Sequence, residues 1–92
     1  MKLKQFDLIE IEWIDSVENT CGWTDLKTFD FNRHYSHLPQ KTVGYFIKET
    51  KDAISTSKCR SGYIDDNGCD FNGLWTIPKG CIKKIRKIGN GR

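Results

Sequence analysis

A chain of 92 residues has room for one hydrophobic core and no second. Its net charge of +3 is too small to demand a nucleic-acid partner, and no segment approaches the roughly 20 consecutive apolar residues of a transmembrane helix. With 37% apolar residues the core must be modest, but three Trp, three Tyr and five Phe each bury a large area.

The opening MKLKQFDLIEIEW has two lysines but no apolar run of signal-peptide length. The expected location is therefore the cytoplasm, with all four cysteines as reduced thiols. Within it, FDLIEIEW alternates, placing Ile9, Ile11 and Trp13 on one face and Glu10 and Glu12 on the other, the pattern of a half-buried strand. Asp15 and Ser16 stop this strand, and residues 17–22 read as loop before Trp23. Thr24 suits a helix N-cap, with Asp25 at the positive end and Leu26, Phe29 and Phe31 as a short apolar face. A short helix or irregular connection is expected until Pro39.

TVGYFIKE (42–49) is β-branched and aromatic, and the polar Thr50, Lys51 and Asp52 turn it back into a strand over 53–57. Asn67-Gly68 is the signal of a two-residue hairpin turn, which would set Ile64 opposite Phe71 and Asp66 opposite Cys69. Leu74, Trp75 and Ile77 continue a strand, PKGC (78–81) suits a single 3₁₀-like turn, and 82–88 form the last element. Trp13 and Trp75 are expected in the core, and GNGR (89–92) is expected to fray. Five or six short strands with regular turn signals predict one mainly β domain. A break of one turn before a closing strand specifies a small SH3-like, partly open barrel with at most one short helix or 3₁₀ turn.

The charges are segregated. Residues 1–30 carry seven acids and three lysines, whereas six basic residues and no acid lie from Lys79 onward. If the two ends pair, they neutralise each other. Otherwise Lys79, Lys83, Lys84, Arg86 and Lys87 offer a phosphate-binding surface, with Trp75, Tyr63 and Phe71 to stack on bases if exposed. The competing reading makes Ile82, Ile85 and Ile88 the anchors of a closing element whose lysines face water and guard a sheet edge. Their three-residue spacing fits a helical turn better than a flat strand.

Signs of chemistry are few. Cys21, Cys59, Cys69 and Cys81 lie 38, 10 and 12 positions apart, without the close pair of a structural zinc site, and read as small buried thiols. Cys21 with His34 or His37 is the nearest approach to a nucleophile and base, and no glycine loop for phosphate is present. No enzyme activity, cofactor or metal is expected. Trp23, flanked by Asp15 and Asp25, has the makings of a protein-binding hot spot, unless it folds back over one end of the barrel.

EWIDS, GWTDL, TVGYFIKE and LWTIPKGCIKKI together resemble small proteins encoded by bacteriophages and prophages. The matching positions are Trp13, Asp15, Gly22, Trp23, Val43, Gly44, Tyr45, Ile77, Pro78, Lys79, Ile82 and Ile85. The resemblance implies a small soluble accessory protein inside a bacterial host. Such a protein would bind another protein without catalysis, for example as an inhibitor of a host defence such as CRISPR. The nucleic-acid-binding module remains the alternative.

Overall fold

The computed structural model describes residues 2–15, 22–30, 39–65 and 68–92. The strands in chain order are β1 (Asp7–Ile14), β2 (Pro39–Glu49), β3 (Ala53–Ser57), β4 (Cys59–Arg60), β5 (Phe71–Asn72), β6 (Trp75–Pro78) and β7 (Ile82–Asn90). A 3₁₀ turn over Lys79–Cys81 separates the last two. Five strands form an antiparallel sheet in the order β6-β3-β2-β1-β7, and β4 and β5 form a separate two-stranded ladder.

Alternation builds the core as expected. Along β1 every second residue is buried, so Ile9, Ile11 and Trp13 face inward while Glu10 and Glu12 stand on the other face. Phe46, Ile54 and Ile77 complete the buried cluster, and Leu3, Cys81, Ile82 and Ile85 pack against it. Burying each large aliphatic side chain contributes on the order of 2 kcal/mol. The indole of Trp13 donates to Thr42 Oγ1 at 2.9 Å, which satisfies its one polar atom inside the sheet.

The β2–β3 hairpin closes through Thr50, whose hydroxyl accepts the amides of Asp52 and Ala53 and whose own amide donates to Ala53 O. The 3₁₀ turn is tied to it by Lys79 N–H donating to Asp52 O at 2.7 Å. Only residues 79–81 lie between β6 and β7, although these strands are the two edges of the sheet. The sheet therefore curls until its edges approach, and Trp75 on β6 meets Trp13 on β1 edge-on, with ring centroids 6.1 Å apart. Among the described residues no ladder joins β6 to β7, so the sheet does not close into a barrel.

Several expectations need correction. Gly68 (φ +101°) follows the tip of its hairpin: Asp65 and Gly68 bond to each other in both directions, with residues 66 and 67, outside the described residues, between them. Phe71 pairs with Arg60 and not with Ile64, because Gly62, Tyr63 and Ile64 bulge out opposite Cys69 alone. Trp75 is 46% exposed, since an edge strand leaves one side of its ring uncovered. Cys59 is exposed because it sits on the thin β4–β5 ladder. Of the helix or irregular connection expected before Pro39, residues 24–30 take the irregular form, and residues 31–38, Phe31 included, lie outside the described residues. Within 24–30 Asp25 takes a capping part, and it holds a single turn. Residues 89–92 do not fray: Gly89 and Asn90 belong to β7, Gly91 is buried, and the Arg92 side chain is hydrogen-bonded. Cys21, His34 and His37, with the nucleophile–base pairing drawn from them, lie outside the described residues.

Candidate functional site

The basic strand comes first, because its pairing decides between the two readings of the sequence. β7 lies antiparallel to β1, so the acidic and basic ends of the chain meet in one ladder. Glu10 pairs with Arg86, and their side chains approach to 3.4 Å. Glu12 stands between Lys84 on β7 and Lys41 on β2. Lys87 reaches Asp7 at 3.5 Å, and Lys79 bonds Glu49 at 2.6 Å. Three of the five candidate phosphate ligands, Lys79, Arg86 and Lys87, thus face a carboxylate of the same molecule. Exposed pairs contribute little to stability, but each carboxylate offsets the positive charge of its partner. Lys83 and Lys84 are exposed and take part in none of the four ion pairs found among the described residues.

The isoleucine spacing follows from two bulges. Lys83 is extra between the pairs Glu12–Lys84 and Trp13–Ile82, and Ile88 is extra between Leu8–Gly89 and Ile9–Lys87. Each extra residue shifts the alternation by one. Ile82 and Ile85, three apart, therefore lie on the core face opposite Trp13 and Ile11, on a strand and not a helix. Ile88, in its bulge, is 44% exposed and anchors less.

Asp7 is the most constrained acid. It is fully buried at the start of β1. Its Oδ2 accepts the Lys4 amide at 2.8 Å, and its Oδ1 accepts from Arg92 at 2.9 Å. The Lys4 amide, followed by the Arg92 hydrogen bond and the charges of Lys87 and Arg92, holds its carboxyl below the usual aspartate value despite the opposing effect of burial. Asp7 is a structural ion, fixed on every side.

Of the three residues singled out for protein binding, Trp23 is fully exposed, and Leu26 beside it is 79% exposed. Trp23 does not fold back over the sheet. Asp25 is spent locally: its Oδ1 accepts the Lys27 amide, its Oδ2 the Thr28 hydroxyl, and its carbonyl the Phe29 amide. Asp15 is exposed just beyond β1. Trp23 and Asp25 share the segment 22–30, whereas residues 16–21 between them and Asp15 lie outside the described residues.

A second exposed apolar surface includes Tyr63 and Phe71, two of the stacking candidates of the sequence, both of them exposed. Tyr63, Ile64, Phe71 and Leu74 are all exposed on and beside the β4–β5 ladder, the first two because of the three-residue bulge. The strand pairs Ala53–Pro78 through Thr56–Trp75 and the pairs Cys59–Asn72 and Arg60–Phe71 keep one offset, so β3–β4 and β5–β6 make one long hairpin whose far half forms an arm. Among the described residues no three of His, Cys, Asp and Glu gather as a metal site, and no helix is long and apolar enough to cross a membrane. Comparison with known proteins gives no match: no protein-family model, curated protein or solved structure is significantly similar to the chain.

Proposed function

We propose that the protein is a non-enzymatic binding module that docks on another protein through the β1–β2 connection, with Trp23 as its anchor. The observation that carries this reading is the full exposure of Trp23 beside an exposed Leu26. Burying an exposed tryptophan in a partner's pocket takes a large apolar area out of water, the gain that makes such residues binding hot spots. The curled five-stranded sheet, with one 3₁₀ turn linking its edge strands, supports an SH3-like arrangement as the scaffold. The setting, a phage or prophage accessory protein acting against a host defence inside the bacterial cytoplasm, rests on the sequence resemblance.

The test is affinity capture from a bacterial host with the wild type and Trp23→Ala. Recovery of one stable partner, with affinity reduced about 100-fold in the variant at unchanged stability, is expected for an anchoring aromatic. No partner, or one held equally well by Trp23→Ala, contradicts the reading. Nucleic-acid binding through β7 is the weaker alternative. Lys84 lies on the sheet face opposite Trp13, and so away from Trp75, which packs on Trp13. Lys84 and Trp75, a charge and a stacking ring that single-strand binding would combine, thus lie on two faces.

A further inference from the structure

We infer that Gly91 and Arg92 form a clasp that fixes the β4–β5 arm against the sheet and so sets how Tyr63, Ile64 and Phe71 are presented. The contacts run in a chain. The Arg92 guanidinium donates to Asp7 Oδ1 and to Gln5 O, both at 2.9 Å, and its amide donates to Asn90 Oδ1 at 2.9 Å. These bonds hold Gly91 in a slot with no room for a side chain: a Cβ there would collide with Phe6 O and lie 2.6 Å from the Tyr45 ring. Gly91 O in turn accepts the Nε of Arg60, on β4, at 2.5 Å.

Arg60 is the joint. Its Nη1 donates to Ser61 O inside the arm, and its guanidinium lies over the Tyr45 ring on β2, 5.6 Å from the centroid. One side chain thus bonds the arm, the body of the sheet and the clasp. The arm also continues from the sheet through its two strands, whose pairing is irregular where Lys58 N–H is shared between Asn72 O and Gly73 O. A ladder of two short strands is marginal alone, so lateral support at its base decides how often it opens.

Amide hydrogen exchange on Arg92→Ala, Arg60→Met and a control, Lys79→Ala, tests the clasp. The Lys58 and Ser61 amides should exchange at least about tenfold faster in the first two variants, the size expected for one lost charge-assisted hydrogen bond. The Ile9 and Ile11 amides should keep their protection in Arg60→Met and lose less than the arm does in Arg92→Ala, where buried Asp7 also loses a partner, and Lys79→Ala should leave the arm unchanged. Undiminished arm protection in Arg92→Ala overturns the inference, whatever Arg60→Met does. An equal rise in arm and core also overturns it, since that reports global stability alone, as does an arm that is already unprotected in the wild type.

Discussion

Phe6 has a φ of +70°, a value that costs an L-residue about 1–2 kcal/mol. It occupies the third position of a turn closed by Asp7 N–H donating to Lys4 O, where a type II turn normally takes glycine. Burial of the ring and the 2.7 Å bond from its amide to Phe46 O hold it there. Removing the ring in Phe6→Ala should cost about 3 kcal/mol in denaturant unfolding. Phe6→Gly should be no worse, and up to about 1 kcal/mol better, because glycine relieves the backbone. A glycine variant clearly less stable than the alanine variant contradicts the strain. The neighbouring Asp7 gives a pH prediction. Its folded pKa is depressed, so the unfolded chain binds its proton first as pH falls. The stability it contributes is complete above the usual aspartate pKa near 3.8 and is lost as pH drops through the lower folded value. Unfolding midpoints from pH 6 to pH 2 should fall less steeply in Asp7→Asn than in the wild type. Equal slopes would remove Asp7 from the acid limb.

At the scale of elements, β1, the β2–β3 hairpin and the 3₁₀ turn were legible because each rests on a local signal: alternation, β-branching around a polar turn, or Pro-Lys-Gly. The shape of β7 was not. Its isoleucine spacing suggested a helical turn, and only pairing with β1 shows that bulges at Lys83 and Ile88 produce the same spacing on a strand. These bulges, with the exposed lysines, also spoil the outer edge of β7 for pairing with another chain. The arm's register was missed because Gly68 follows its turn and three residues bulge on one strand, neither of which has a local sequence signal. Gly44 marks another non-local demand. A Cβ there would lie 2.7 Å from Ser57 O, so Gly44→Ala must push β2 and β3 apart. A loss of about 1–3 kcal/mol in thermal or denaturant unfolding is expected, and an unchanged midpoint would show that the two strands approach less closely.

For the whole molecule, the sequence showed that charge was divided between its ends but not whether the ends meet. That depended on a ladder between residues 69 to 83 positions apart, from Trp13 with Ile82 to Asp7 with Asn90. Its answer turns an apparent basic arm into one side of a mixed-charge face, with Lys41, Glu12 and Lys84 in one row and Val43, Glu10 and Arg86 in the next. The candidate site was legible in part. Trp23 could be named from its place after a loop glycine, but not its exposure, and the arm and clasp emerged only from the fold.

The central claim is that part of the charge of β7, that of Arg86 and Lys87, is answered within the molecule, and that the partner we propose is a protein and not a phosphate backbone. Its most direct test is binding to mixed short DNA and RNA across a salt series, with wild type beside Lys83→Glu/Lys84→Glu. The account predicts binding no tighter than the roughly 10⁻⁴ to 10⁻⁶ M of non-specific contact at physiological salt, with little difference between the two proteins. Submicromolar binding that falls steeply with salt and disappears in the double variant would contradict it and make β7 the functional surface.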